Sequence, residues 1–191
     1  MYQSLLADAT FHEQLLVIDQ DLAARARTAD CVRCGGVLHS ARFRRKPRGV
    51  PAGLGEAYCQ RFSFCCAVDG CRGRMTPPSL RFLGRKVYLA TLVILATALQ
   101  HGATPARLRR LAGVAGIDRR TLARWRTWWL ARFTAGPFWK GASAAFMPPV
   151  DQTGLPLSML DRFAGEASER LLAMLRFLAP ITGGAALEHA F

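Results

Sequence analysis

Cysteines placed in pairs limit what this chain can fold into more than any other feature. Cys31 and Cys34 are separated by two residues and backed by Gly35 and Gly36, and Cys65, Cys66 and Cys71 follow downstream. A Cys-x-x-Cys turn backed by glycine is tight enough for its amides to point at the sulfurs. Two such turns facing each other make the four-thiolate tetrahedron that zinc prefers. Alternation along Phe62, Phe64 and Cys66 puts these three on one face of a strand, which favours Cys66 with Cys71 as the second pair and leaves Cys65 as a neighbour. Cys59, and after it His39, are the substitutes. Buried free thiols are the plainer reading. Six cysteines in a chain with no opening basic-apolar-small signal pattern point instead to a reducing compartment and metal ligation. The expected metal is a structural Zn2+ on Cys31, Cys34, Cys66 and Cys71. Thiolates at all four positions leave none open for water or substrate, and binding itself stabilises a small sheet.

Charge narrows the partner. The net charge is +13, but residues 31–135 hold twenty basic and three acidic side chains, while residues 1–30 hold two and five and residues 136–191 four and five. A localised excess of cations implies an anionic partner for that segment, nucleic acid first and an anionic membrane surface second. The one long apolar run, residues 87–99, is thirteen residues. At helical rise it covers about 20 Å, short of a ~30 Å hydrocarbon core, and it suits a helix buried inside a protein. The expected location is the cytoplasm, associated with the nucleoid and not with a membrane. Arg42-Phe43-Arg44-Arg45-Lys46-Pro47-Arg48 packs five cations into seven positions between the cysteine pairs. Arg44, Arg45, Lys46 and Arg48 are candidate phosphate contacts on a hairpin loop.

The expected fold is mainly α with a small β zinc ribbon. It comprises an N-terminal amphipathic helix (1–30), the ribbon (31–78), a central buried helix followed by a helix-turn-helix (79–135), and a loop with a C-terminal helical tail (136–191). Thr10-Phe11-His12-Glu13 has capping-box spacing, and Phe11, Leu15, Ile18 and Leu22 form an apolar stripe ending near Arg27. The central helix is expected from about Ser79 or Gly84 to Gln100. Gly136-Pro137 and Met147-Pro148-Pro149 suggest a loop-rich connection, and Leu171, Leu172, Leu175 and Leu178 mark a last helix over about residues 167–178, closed by Pro180.

Thr104-Pro105 is a strong helix start. Leu111, Ala112, Ala115, Gly116, Ile117, Leu122 and Trp125 then follow with the small, turn-forming and apolar residues of a helix-turn-helix. On a wheel of about 100° per residue, Leu122, Trp125, Trp129 and Phe133 share the core sector of the second helix. Arg120, Arg124, Thr127 and Ala131 lie opposite, with Trp128 on the flank and Arg119 near the start. Major-groove recognition uses the N-terminal half of such a helix. Arg119, Arg120, Arg124 and Thr127 are therefore the candidate DNA contacts, and Arg107, Arg109 and Arg110 on the preceding helix are placed near the backbone.

A cysteine ribbon followed by Arg-Arg-x-x-x-Arg-Trp-Arg-x-Trp-Trp on a recognition helix resembles the DNA-binding regions of bacterial insertion-sequence transposases. It is also similar to small zinc-ribbon proteins encoded beside transposases and recombinases. The likeness covers about residues 31–133. Such transposases add a nuclease domain with three separated carboxylates, and the 58 residues after Phe133 are too few for one. Asp151, Asp161, Glu166 and Glu169 fall in the short tail without a strand pattern. The resemblance implies a non-catalytic protein of duplex DNA, either a mobile-element accessory factor or a transcriptional regulator. A nearby transposase or recombinase is the implied protein partner. The alternatives are a targeting subunit of a nuclease, recombinase or transposase complex and an RNA-binding zinc-ribbon protein. The apolar stripes of the first and last helices are expected either to cover the central helix or to form a homodimer reading half-sites about 34 Å apart.

Overall fold

The computed structural model describes residues 2–45, 50–51, 53–83, 92–93, 96–97, 104–106, 109, 113 and 119–183. The architecture is mainly α with a small antiparallel sheet. A short helix α1 (Tyr2–Leu5) leads into α2 (Ala9–Thr28). The α2 cap differs from the expectation: Asp8, not Thr10, accepts the Thr10 and Phe11 amides at 2.9 and 3.3 Å. Aspartate at that position also complements the positive end of the helix dipole.

Strands β1 (Leu38–Ser40), β2 (Phe43–Arg44), β3 (Gln60–Arg61), β4 (Phe64–Cys66) and β5 (Arg74–Met75) follow. β1, β4 and β5 form one antiparallel sheet in that order, and β2 pairs with β3. The register sets Leu38 opposite Cys66 and His39 opposite Cys65, with Cys65 in turn opposite Arg74. Because side chains alternate across a strand, Leu38, Phe64 and Cys66 are buried while His39 and Arg74 are exposed. The buried face closes a small cluster with Cys31, Phe62 and Ala23 of α2.

The larger cluster is helical. Phe11 and Leu15 of α2, with Leu92, Val93 and Ala96, meet Leu171, Met174 and Leu175. Leu92, Val93, Ala96 and Thr97 are helical and buried, as expected of the central helix, whose remaining residues between 84 and 100 lie outside the described residues. Its expected beginning at Ser79 is corrected: Ser79 through Leu83 is not helical. Residues of the first, central and last helices thus belong to one apolar cluster. α2 contributes to both clusters, with Phe11 and Leu15 in the large one and Ala23 in the small one.

A buried polar seam runs between the clusters. Asp19 of α2 is fully buried and accepts hydrogen bonds from the Ser79 hydroxyl, the Leu80 amide at 2.6 Å and Arg81 Nε at 2.8 Å. The buried Arg81 guanidinium also donates to the carbonyls of Tyr58 and Gln60 and stacks near Tyr58, Phe62 and Phe82. Arg61 donates to Pro77 O at 2.6 Å and Thr182 O at 3.1 Å, while burial pulls its pKa down to about 10. An irregular buried segment has no ladder to satisfy its peptide groups, and these side chains supply the partners.

Downstream lie α3 (Arg119–Thr127), a π-helical turn over Trp128–Phe133, α4 (Pro137–Ala142), α5 (Leu157–Leu160) and α6 (Ala167–Leu178). Two expectations are corrected here. The second helix of the pair is not uniformly α, and Gly136-Pro137 opens a helix instead of starting a loop, because proline suits the first helical turn. The last helix has the expected bounds, with Leu171, Leu175 and Leu178 buried and Glu169 reaching back to the Glu166 amide at 2.8 Å. Among the described residues, no helix is long and apolar enough to cross a membrane.

Candidate metal centre and basic surface

The first cysteine turn follows directly from α2. Cys31 N donates to Gly36 O at 2.9 Å, and the amides of Cys34 and Gly35 donate to Cys31 O at 3.2 and 2.7 Å. Gly35 has φ +69°, a left-handed conformation that glycine adopts without penalty. Gly36 matters for a different reason: a Cβ there would stand 2.4 Å from Cγ2 of the exposed Val68, which would have to shift, and 3.1 Å from Cys66 Sγ. The second turn has four intervening residues and still closes. Val68 O accepts the amides of Cys71 and Arg72 at 3.1 and 3.2 Å, and the Val68 amide donates to Cys66 Sγ at 3.4 Å.

These turns bring Cys31, Cys34, Cys66 and Cys71 together with all four sulfurs within 4.8 Å of one another. Cys31 Sγ is 3.8 Å from Cys71 Sγ, and Cys34 Sγ is 3.4 Å from Cys66 Sγ. Zinc–sulfur bonds of ~2.3 Å span a tetrahedron with edges of about 3.8 Å, so the arrangement is compatible with zinc. The choice of Cys66 over Cys65 follows the strand alternation. Cys65 faces away, with its thiol near the Cys66 and Arg72 carbonyls. Cys59 and His39 do not belong to the cluster.

Four adjacent thiols cannot all ionise in the absence of a cation. The amide of Arg33, then that of Cys34, lowers the Cys31 pKa to about 7 against its desolvation. At Cys66 the Val68 amide pulls downward, but burial and the neighbouring sulfurs of Cys34, Cys31 and Cys71 push the thiol up to about 12. A divalent cation removes this conflict by stabilising every thiolate together.

The basic segments are placed unevenly. Arg44 forms an exposed ion pair with Glu56 at 2.7 Å, and Arg45 lies 5.5 Å from the centre of the Phe43 ring. Arg42 lies 5.0 Å from the centre of Phe62. Lys46 and Arg48 lie outside the described residues, as do Arg107, Arg110, Leu111, Ala112 and the expected turn at Ala115, Gly116 and Ile117. Pro105, Ala106, Arg109 and Gly113 are helical, with Thr104 immediately before them.

On α3 the expected faces separate. Leu122, Trp125, Trp129 and Phe133 are buried, whereas Arg120, Arg124, Thr127 and Ala131 are exposed. Arg119 belongs to α3, but its side chain lies outside the described residues. Arg120 and Arg124 form no hydrogen bond or ion pair with described residues. The Thr127 hydroxyl donates to Ala123 O at 3.2 Å. Arg126 is the contrasting arginine, since its guanidinium donates to Thr153 O at 3.0 Å and Leu155 O at 3.4 Å and anchors α3 to the following segment.

Sequence reading missed the buried polar residues His12, Asp19, Arg61 and Arg81. The available signal was polar residues at i and i+7 of α2, on the flank of the apolar stripe. The tail carboxylates serve local structure, with Asp151 accepting the Thr153 amide and hydroxyl at 2.9 and 2.7 Å. No protein-family model matches the chain, and no curated protein or solved structure matches it either.

Proposed function

We propose that this chain is a non-catalytic DNA-binding protein with one structural zinc on Cys31, Cys34, Cys66 and Cys71. In this reading α3 is the duplex-reading element, and the 42–48 loop lies on phosphates. The biological role is that of a mobile-element accessory factor or a transcriptional regulator. The observation that carries the proposal is α3 itself: a helix anchored on one face by Leu122, Trp125 and Trp129 presents Arg120 and Arg124 to solvent on the other. Cations held on a packed helix are suited to base edges, because the rigid element fixes where each guanidinium ends. The four-sulfur geometry supports zinc as a fold-stabilising ion, and the local charge excess supports a polyanionic partner.

The test measures binding of fluorescent duplex DNA by the full-length, metal-loaded chain and by an Arg120→Ala/Arg124→Ala double variant. Circular dichroism monitors folding. Each arginine that pairs with guanine is worth about 1–3 kcal/mol, and its loss relaxes preference at one base position. Wild-type affinity and base preference in the folded double variant would remove α3 as the reading element.

A further inference from the structure

The π-helical turn after α3 has a physical cause and a consequence for charge. Trp128, Trp129 and Phe133 fall within six residues and all pack on one aromatic cluster. Trp128 and Phe133 are five apart in sequence, yet their ring centroids are 5.5 Å apart; Trp129 and Phe133 are 4.7 Å apart. An i,i+5 contact of this kind is the geometry of an i→i+5 helical turn. Nearby threonines use the local carbonyls, with Thr134 Oγ1 donating to Leu130 O at 2.8 Å.

That turn changes where Arg132 points. In an uninterrupted α-helix, seven residues make almost two whole turns, so Arg132 would lie over Trp125 in the core sector. Trp125 is buried and Arg132 is exposed. With the π turn inserted, the eight residues from Arg124 to Arg132 equal one α turn of ~3.6 residues plus one wider turn of about 4.4. By this count Arg132 returns to the side of the helix that carries Arg124. Its guanidinium forms no hydrogen bond or ion pair with described residues, unlike that of Arg126, which is tied to backbone carbonyls.

We infer that Arg132 is a DNA-contacting residue, the third exposed arginine after Arg120 and Arg124, and that it binds a backbone phosphate at the edge of the major groove. This deepens the proposed function and rests on α3 being the duplex-reading element. Arg132 lies about 18 Å along the helix from Arg120, and base contacts come from the N-terminal end of a recognition helix. With Arg120 and Arg124 at base edges, Arg132 is carried past the groove to the sugar-phosphate wall. The same aromatic packing that widens the helix therefore also sets the docking register.

The experiment uses the full-length, metal-loaded protein and two labelled probes: a mixed-sequence duplex of about 20 base pairs and an RNA hairpin of matching length, each titrated in about 50 to 200 mM KCl. Arg132→Ala, an exposed change that keeps the native circular dichroism spectrum, is expected to weaken duplex binding several-fold at the lowest salt. It should lower the slope of log affinity against log salt by about 0.9, with base preference unchanged. Arg132→Lys is expected to retain most of the slope. An unchanged slope in Arg132→Ala, with binding lost in the Arg120→Ala/Arg124→Ala variant, overturns the Arg132 assignment and leaves the reading of α3 intact. Loss of slope in Arg132→Ala with a fully active double variant keeps Arg132 as a phosphate contact and overturns base reading by α3. Wild-type behaviour in all variants, or tighter arginine-dependent binding to the RNA hairpin than to the duplex, overturns both.

Discussion

The cysteine-bearing region 31–75, here called the ribbon, and the α3 helix reach their geometry by opposite routes. In the ribbon, positions are set by backbone turns a few residues long. Gly35 takes a left-handed φ, Gly36 admits Val68 and Cys66, and Val68 closes the second turn, so four sulfurs converge with little help from a core. On α3 the solvent face is set from the inside: Leu122 and Trp125 are buried, so Arg120 and Arg124 face outward, and aromatic contacts continue through the π-helical turn that carries Arg132. A site built from turns depends on local chemistry and a bound ion, whereas a site built on a helix depends on a core that can be several residues away. The two regions should therefore fail under different perturbations.

Metal removal gives the largest expected effect and the sharpest division between them. Structural zinc in small domains contributes on the order of 10 kcal/mol to folding, and the ribbon's own cluster contains few large apolar side chains. Chelation, or Cys34→Ser, is expected to abolish equimolar zinc and open residues 31–75 to proteolysis while most helical circular dichroism remains. Full zinc content after replacing both Cys31 and Cys34 would refute the ligand set. Loss of the helical signal in step with the metal would break the comparison, since it would make the two regions one cooperative unit.

The seam should reveal how strongly they are coupled. Asp19→Ala leaves the buried Arg81 charge uncompensated and the Leu80 amide without its acceptor. Removing one partner of a buried pair costs about 3–5 kcal/mol. Thermal unfolding of the zinc-loaded variant is expected to show a large fall in Tm for both regions, because α2 packs into both clusters. A fall confined to the ribbon would mean that the seam supports only the sheet.

Legibility in the sequence follows the same division. The four-cysteine cluster could be read because cysteine spacing and strand alternation are local rules, and Cys66 was separable from Cys65 by alternation alone. The bounds of α6 were readable from its leucine period. The faces of α3 and the turn after it were legible, with Leu122, Trp125, Trp129 and Phe133 inside and Arg120, Arg124, Thr127 and Ala131 outside. The π-helical form of that turn, over Trp128–Phe133, was not legible, because no local period distinguishes it from a continued α-helix. Asp8 took the α2 cap in place of Thr10 although both are capping residues, and spacing alone does not choose between them. Asp19 and Arg81 are 62 residues apart, and nothing in either neighbourhood signals the other.

A smaller effect tests the seam by pH. His12 of α2 is buried, with Nδ1 2.7 Å from the Tyr58 hydroxyl and Nε2 3.2 Å from Leu6 O. A carbonyl can only accept, so Nε2 carries the proton and Nδ1 accepts from Tyr58. Burial lowers the His12 pKa, against the upward pull of the Leu6 carbonyl and the Asp8 charge. The unfolded chain then binds more protons than the folded one below about pH 6.5. Stability is fully present above that pH and declines below it by at most about 1.4 kcal/mol per unit. Denaturant unfolding at several pH values is expected to show this decline, and His12→Gln should remove its histidine-dependent part. An unaltered slope in His12→Gln would place the pH sensitivity in another group.

The smallest effect distinguishes the loop from the helix as a binding surface. Arg44 is exposed and paired with the equally exposed Glu56, a kind of contact worth less than about 1 kcal/mol to folding. Glu56→Gln should leave Tm nearly unchanged while freeing the Arg44 guanidinium and removing a carboxylate that repels phosphate. If the 42–48 loop lies on the DNA backbone, this variant binds mixed-sequence duplex a few-fold more tightly, and the slope of log affinity against log salt steepens by up to about one unit. Its base preference stays that of the wild type, because phosphate contacts carry no sequence information. Arg120→Ala should act in the opposite sense on both affinity and preference. Unchanged affinity and slope in Glu56→Gln would take Arg44 off the phosphates and leave the proposed DNA surface to the helix.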